Sequence, residues 1–309
     1  MKNKYKIRNL VSNISEIYDS KFEDPDLING WDLAIIDEQI WATANKSGKL
    51  IKYDLNGRKI TSFDVPNSES PTGLALNIKT GLGSDVLYFV TEQGKLYALN
   101  PSLRFPIRLL NDNSNTGALY TGLTKFENLL YATDLHNKKI DVFDSLQNFA
   151  QVNLSFIDLD RNNPLPSNYS PFNIINIDQN LYVLYAEKDP NSNDIVVGEG
   201  KGYIDIYTIA GTFVRRFVSN GKLNGPTGLT IKNNRHNKST VMVANFGDGK
   251  INEYSMEGKF ISTLRDSNKK KIRINGLSAL ESFNDSIYFI AGPNDEKDGL
   301  VGRLKQKIK

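Results

Sequence analysis

The stretch Met242-Val243-Ala244-Asn245-Phe246-Gly247-Asp248-Gly249-Lys250-Ile251-Asn252-Glu253-Tyr254 decides the fold. It predicts a short apolar strand, a polar turn rich in glycine, and a second strand that ends in an aromatic residue. A weaker copy of this pattern returns about every fifty residues along the chain. A strand-dense repeat with this period is typical of a β-propeller, in which each unit forms one four-stranded blade.

Six copies of the unit are present. Their first strands begin with Gly-Leu or a close substitute, and the copies align on Asp32, Gly73, Gly122, Asn173, Gly228 and Gly276. Second strands are predicted at residues 40–45, 87–92, 130–134, 181–187, 241–245 and 287–291. Third strands are predicted at residues 50–54, 95–99, 140–144, 203–207, 251–254 and 300–304. We therefore expect an all-β, six-bladed β-propeller of four-stranded blades that occupies residues 1–309 as a single domain, since packed blades bury the faces that one blade leaves open.

The sixth unit lacks a fourth strand, because the chain ends soon after residues 300–304. Residues 5–11 precede the first blade and alternate in character, as a strand does. We predict that this N-terminal strand joins the last blade, so that both termini close the ring and leave no open strand edge between blades. The alternative is a loose N-terminal arm.

Composition excludes several classes of protein. The 38 basic and 35 acidic side chains nearly balance, which gives no nucleic-acid signature. The absence of cysteine excludes disulfides, thiol nucleophiles and cysteine-bound metals. No apolar stretch is long enough to span a membrane, and the basic N-terminus is not followed by the apolar core of a signal peptide. We expect a cytoplasmic or intracellular protein, or a virion protein if it is viral, because the abundance of Asn, Lys and Ile indicates a low-GC microbe or a large DNA virus.

Polar residues recur where first strands begin and second strands end, positions that share one face of a propeller around its channel. The candidate metal ligands are Asp32, Glu92, Asp134, Glu187 and Asn245. Such hard oxygen ligands suit Ca²⁺ or Mg²⁺, although no cofactor is certain. The alternative is that these side chains bind local backbone N–H groups in turns.

Other candidates lie near the same face. His136 follows a second strand and is a candidate general base or metal ligand, or a structural histidine. Asp248 lies in a turn suited to a cation or sugar hydroxyls, or to a simple tight hairpin. The remaining candidate ligand-binding residues are Asn173 at a first strand and Asn294, Asp295 and Glu296 in the densest cluster of oxygen ligands.

The segment Asp24-Pro25-Asp26-Leu27-Ile28-Asn29-Gly30-Trp31 resembles the "DPNLVNPWG" opening of an uncharacterised propeller family of NHL-like or SMP-30-like type. That family is known mainly from bacteria, and some members carry PEP-CTERM sorting signals. Matches continue in order through the NFGDG motif at residues 245–249 and the AGPNDE motif at residues 291–296. The resemblance implies the propeller fold but no activity. Thr227 and Ser278 replace two of the three tryptophans expected at first strands, so Trp31 is the aromatic candidate for ligand contact.

Two functions fit these observations. The first is a non-enzymatic binding or scaffold propeller that uses its loop-rich face, with long loops at residues 158–167 and 189–202, for an unknown protein or glycan partner. The second is a divalent-metal-dependent hydrolase or lactonase of SMP-30-like type, with the metal at the channel mouth and His136 as the base. The sequence favours the first function, because no recognisable catalytic set is present.

Overall fold

The computed structural model describes residues 4–77, 87–233 and 239–306, and it shows six antiparallel blades in a ring. The prediction of a six-bladed β-propeller is confirmed. Blades 1 to 3 consist of Gly30–Ile36, Gln39–Ala44, Lys49–Asp54 and Lys59–Asp64; Pro71–Leu76, Leu87–Thr91, Lys95–Leu99 and Ile107–Asp112; and Tyr120–Phe126, Leu129–Asp134, Lys139–Asp144 and Ala150–Val152. Each predicted strand is present, with ends that shift by one or a few residues.

Blades 4 to 6 follow the same order, with short additions. Their strands are Tyr169–Ile177, Asn180–Lys188, Tyr203–Thr208 and Phe213–Ser219; Pro226–Lys232, Thr240–Asn245, Ile251–Ser255 and Phe260–Thr263; and Leu277–Phe283, Ser286–Ala291, Leu300–Gln306 and Lys4–Ser12. The added strands are Ile195–Val196 in blade 4, and Phe22–Glu23 and Arg265–Asp266 in blade 6. Among the described residues, helical structure is limited to single turns at Ser15–Tyr18, Pro66–Ser68, Ser114–Thr116, Ser145–Gln147 and Pro293–Glu296.

The N-terminal strand closes the ring, as the sequence predicted. Lys4–Ser12 pairs antiparallel with Leu300–Gln306, from Tyr5 opposite Gln306 to Ser12 opposite Leu300. Tyr5, Leu10 and Val11 are buried on this strand, so it contributes core side chains as well as backbone hydrogen bonds. The fourth strand of blade 6 thus comes from the start of the chain, whereas its first three strands come from the end.

The first strands of the six blades contact one another in a closed circle. Each of them carries a β-bulge near its start, where the repeat has its polar residue or glycine. Threonines at the bulges donate to the backbone of the next blade. The Oγ1 atoms of Thr72, Thr121 and Thr227 lie 2.8, 2.5 and 3.2 Å from the carbonyl oxygens of Tyr120, Phe172 and Leu277. The bulge aims these side chains across the blade boundary.

Glycine is required at three of these positions because neighbouring first strands approach so closely. A Cβ atom at Gly73 would lie 2.3 Å from the backbone nitrogen of Leu123. One at Gly228 would lie 2.8 Å from the Cα atom of Ala279, and one at Gly122 would lie equally close to the Cα atom of Asn173. Backbone atoms cannot rotate away as a flexible side chain can, so a larger residue would push two blades apart.

Buried acids tie the connections between blades to the third strands. Asp24 accepts a hydrogen bond from the Tyr53 hydroxyl at 2.7 Å and pairs with Lys59 at 2.9 Å. Glu69 repeats this arrangement one blade later, where its carboxylate meets the Tyr97 hydroxyl at 2.9 Å and Lys95 at 2.6 Å. A buried carboxylate needs such partners, so these contacts fix the path of both connections.

The close approach of the first strands is testable at Gly73. We expect Gly73→Ala to lower the free energy of unfolding by roughly 2 to 3 kcal/mol, because the added methyl group meets backbone. Chemical denaturation measures the change. The control is Gly198→Ala, whose added Cβ would lie 3.3 Å from the flexible Lys201 side chain. Equal losses of stability in the two variants would contradict the proposed constraint.

Candidate functional site

The ring has two faces. The upper face carries the turns that follow the second strands and the connections from one blade to the next. The opposite side is called the lower face. The connections of the upper face include residues 153–168 and 264–276, and the insertion at residues 189–202 follows the second strand of blade 4. The two long loops predicted from the sequence therefore belong to one side of the ring. The short turns at residues 37–38, 127–128 and 178–179 belong to the lower face.

Trp31 crosses the channel mouth on the upper face. Its indole Nε1 atom donates to the carbonyl oxygen of Thr121 in blade 3 at 2.9 Å. Its ring stacks on Phe172 of blade 4, with the ring centroids 5.8 Å apart. Because Trp31 belongs to blade 1, these contacts reach across the ring and not merely to a neighbouring blade. The side chain packs with an apolar cluster that includes Leu135 and Ile195, which makes the centre of the mouth apolar.

The blade 4 insertion extends over the blade 5 side of the mouth. Within it, Ile195–Val196 pairs with the end of the second strand at Glu187–Lys188. Val197 packs closely on Gly247, since a Cβ atom added to Gly247 would lie 2.7 Å from the Cβ atom of Val197. The backbone N–H of Gly198 donates to the Asn224 Oδ1 atom at 2.7 Å. The insertion is thus held against blade 5 by both packing and hydrogen bonding.

A polar group lies beside this apolar centre, and we call Asn29, Asn45, Lys46, Glu92 and Glu296 the mouth cluster. The Asn29 amide donates to Asn45 Oδ1 at 3.2 Å and to Glu296 Oε2 at 3.3 Å, and Lys46 pairs with Glu296 at 3.4 Å. The pKa of Glu92 lies above its usual value, mainly because the side chain is buried. Repulsion from Glu296 adds to this rise, and a hydrogen bond from Asn45 opposes it. The mouth cluster thus mixes amides with charges of both signs.

Three of the predicted metal ligands hold upper-face loops in place. Asp134 is fully buried and accepts from the backbone N–H groups of Leu119 and Asn137 at 3.1 and 3.0 Å. Asn245 accepts from the backbone N–H of Asn224 and donates to the carbonyl oxygen of Lys222. Glu187 pairs with Lys201 at 2.8 Å. Hydrogen bonds from backbone N–H groups, the alternative that the sequence left open, describe the contacts of Asp134 and Asn245, whereas Glu187 forms an ion pair.

Asp32 interacts electrostatically with a residue that the sequence reasoning missed, Glu281. Asp32 accepts from the backbone N–H groups of Leu33 and of Leu74 in the next blade, at 2.8 and 3.0 Å. Burial raises the pKa of Asp32 to about 7, and these hydrogen bonds oppose the rise. Burial, followed by repulsion from Asp32, raises the pKa of Glu281 to about 8. A charged residue inside the apolar first strand Leu277–Phe283 was the available signal for Glu281.

The other candidates are spread over the upper face. His136 is exposed beside Gly117. The Asn173 amide donates to the carbonyl oxygen of Thr227 at 2.7 Å and so links blades 4 and 5. Asp248 pairs with Lys250 at 2.6 Å. Asn294 donates to Asp298 at 3.1 Å and, with Asp295, lies in a short left-handed turn.

Within residues 4–77, 87–233 and 239–306, no three Asp, Glu or His side chains lie together closely enough to hold a metal ion. Glu92 and Asn45 meet in the mouth cluster, whereas Asp134 and Glu187 each bind partners of their own. The assignment of these residues to a metal stays a prediction. No helix in the same part of the chain has the length and apolar character needed to cross a membrane.

The raised pKa of Glu281 predicts a pH-dependent stability. The folded protein holds the proton up to about pH 8, whereas the unfolded chain releases it near 4.5, so this group's contribution to stability falls as pH rises between those values. Above pH 8 we expect the free energy of unfolding of Glu281→Gln to exceed that of the natural protein by roughly 1 to 3 kcal/mol, and we expect this difference to vanish near pH 4.5.

Chemical denaturation of both proteins across this pH range measures the difference. The control is Glu127→Gln, at an exposed turn of the lower face. If the stability difference between Glu281→Gln and the natural protein does not change with pH, the raised pKa of Glu281 is wrong.

Solved structures with low sequence identity share the fold. An auxiliary nutrient binding protein from Bacteroides thetaiotaomicron aligns with a TM-score of 0.64 at 12% identity, over 99% of this chain and 78% of that one. Virginiamycin B lyase from Staphylococcus aureus aligns with a TM-score of 0.57 at 14% identity, over 98% and 99% of the two chains. Regucalcin, a calcium-binding protein from Agrobacterium tumefaciens, aligns with a TM-score of 0.58 at 12% identity, over 91% of each chain. At these identities the likeness concerns the fold alone.

No protein-family model matches the chain, so its membership of the bacterial propeller family suggested by the short motifs stays a prediction. Two proteins of Acanthamoeba polyphaga mimivirus are similar over nearly the whole chain. "Uncharacterized protein L690" is 35% identical over 97% of this chain and 85% of its own length. "Uncharacterized protein R648" is also 35% identical, over 97% of this chain and 80% of its own length. The chain therefore belongs to the family of six-bladed β-propeller proteins that includes these two mimivirus proteins.

Proposed function

We propose that the protein is a non-enzymatic binding or scaffold propeller that holds a protein or glycan partner on its upper face. The observation that carries this proposal is the state of the channel mouth. Trp31 of blade 1 bonds to Thr121 of blade 3 across its centre, and the blade 4 insertion is bonded to the blade 5 side. A rigid surface of this kind favours the docking of a partner over the enclosure of a small substrate.

The chemistry of the surface fits a polar partner. In the mouth cluster, the ammonium group of Lys46 and the carboxylate of Glu296 keep side-chain exposures of 44% and 33%, so they offer a donor and an acceptor to a partner. Groups of this kind bind sugar hydroxyls or the polar rim of a protein surface. The fold by itself does not choose between binding and catalysis, because functions reside in sites grafted onto a shared scaffold.

Binding on the upper face is tested with two libraries, a printed glycan array and a random peptide library displayed on phage. We expect at least one ligand whose affinity falls about tenfold or more in Lys46→Glu at the mouth or in Lys222→Glu nearer the rim, because these exposed charges face the partner. Arg58→Glu, on an exposed turn of the lower face, is the matched control. The proposal is wrong if neither library yields a ligand, or if every ligand tolerates both upper-face substitutions.

The hydrolase or lactonase hypothesis predicts a different result with metal ions. A metal at about 100 times its Kd would stabilise the folded state by roughly 2.7 kcal/mol. Asp134, Glu187 and Asn245 would have to give up their present partners to bind it. We therefore expect thermal unfolding midpoints in EDTA and in Ca²⁺, Mg²⁺ or Mn²⁺ to agree within about 1 °C. A larger rise that disappears in Glu92→Gln but persists in Glu127→Gln would instead support the metal-dependent enzyme.

A further inference from the structure

We propose that a basic cleft at the outer rim of blade 5 binds an extended acidic peptide segment of a partner protein, with carboxylates flanking an apolar residue. The inference rests on the proposed function and deepens it, because it names a location and a partner chemistry. The cleft, called the rim cleft below, has a volume of about 260 Å³. Its lining includes Lys222, Lys250, Arg265, Lys271, Phe260 and Ile261.

The rim cleft carries an excess of positive charge. Its two carboxylates, Glu199 and Asp248, already pair with Lys222 and Lys250 at 2.5 and 2.6 Å. Arg265 and Lys271 are therefore the two cations in excess. An incoming carboxylate between them would gain a charge-assisted hydrogen bond from the guanidinium group and attraction from the ammonium group.

These two cations are held by an ordered hairpin. Arg265 and Lys271 face each other as an isolated bridge, and the Arg265 guanidinium donates to the carbonyl oxygen of Lys269 at 2.7 Å. At the turn, Asp266 accepts from the backbone N–H groups of Asn268 and Lys270 at 2.8 and 2.9 Å. Leu264 and Ile272, which flank the hairpin, are buried. The hairpin fixes the backbone of both residues and one hydrogen bond holds the Arg265 guanidinium, so less conformational freedom is lost when a ligand binds.

The wall of the cleft supplies the apolar part of the recognition. Phe260 and Ile261 are 45% and 50% exposed. They belong to Phe260–Thr263, the outermost strand of blade 5, which pairs with Ile251–Ser255 on one side. In the described part of the chain no further strand pairs with its other edge. An extended peptide can add to such an edge through backbone hydrogen bonds while its side chains reach the neighbouring pocket.

The charge pattern favours an acidic peptide over a nucleic acid. A nucleic-acid backbone carries a charge at each phosphate, whereas Arg265 and Lys271 are the two cations of the cleft lining that are not paired with its carboxylates, too few to match a continuous run of phosphates. A peptide can place its carboxylates at Arg265 and Lys271 and an uncharged residue elsewhere. The exposed aliphatic side chain of Ile261 suits an apolar side chain better than a stacked base.

The experiment uses peptides selected from the phage library on the natural full-length protein, then synthesised with a rhodamine label. Fluorescence anisotropy measures their Kd. We expect the selected sequences to carry Asp or Glu beside an apolar residue, and Kd to increase with salt. The double substitution Arg265→Glu with Lys271→Glu should weaken binding at least tenfold. Ile261→Ser should also weaken it while leaving the salt dependence unchanged.

The matched control is Arg58→Glu with Arg104→Glu, which makes the same charge change on exposed lower-face turns and should leave Kd unchanged. Unfolding midpoints confirm that each variant is folded. Selected peptides without acidic residues, or peptides that bind the rim variant normally, would overturn the rim cleft as their site. Oligothymidylate that binds more tightly than the peptides, and is lost in the rim variant, would reassign the cleft to nucleic acid.

Failure of the rim cleft and failure of the proposed function give different results. If ligands are lost in Lys46→Glu but retained in the rim variant, the acidic-peptide site is wrong and upper-face binding stands. If neither library gives a ligand, both proposals are wrong.

Discussion

The close contact between neighbouring first strands is the constraint on which the rest of the structure depends. Glycine at positions 73, 122 and 228 allows backbone to meet backbone, and threonines at the adjacent bulges bond across the same boundaries. The ring must also close between its last and first blades, where a Cβ atom at Gly30 would lie 2.5 Å from Ile290. Because the first strands are packed this tightly, the blades cannot shift relative to one another without backbone clashes.

That rigidity determines what the upper face can present. The connections between blades are held by buried acids, such as Asp24 with Tyr53 and Lys59, and they do not rely on loop packing alone. The same chemistry recurs at the mouth, where Asp134 and Asn245 bond to the backbone of their own loops. Polar residues that look like ligands in the sequence are thus used largely to build the surface, and the mouth cluster and the rim cleft provide the groups left for a partner.

The mimivirus relatives and the bacterial structures with the same fold give different kinds of information about this protein. The mimivirus proteins share 35% identity with this chain, which places it in their family. The lyase and the nutrient binding protein share the ring of blades at identities of 12–14%, which shows only that one scaffold serves several chemistries. The proposal of upper-face binding therefore depends on the geometry of this chain, above all on Trp31 across the mouth.

The sequence by itself determined the number of blades, the strand positions and the closure by residues 5–11, because each depends on a local pattern of apolar, turn and glycine residues that recurs along the chain. It also marked the polar turns of the upper face. Only the tertiary structure decided what those residues touch. Trp31 contacts Thr121 and Phe172, and Asp32 acts electrostatically on Glu281, across blade boundaries that separate these residues widely in the chain. Arg265 and Lys271 likewise join Lys222 and Phe260 only when the chain is folded. Such contacts depend on how the blades pack around the ring. The period of a sequence repeat shows where the strands lie, but it does not show which side chains face each other across the ring.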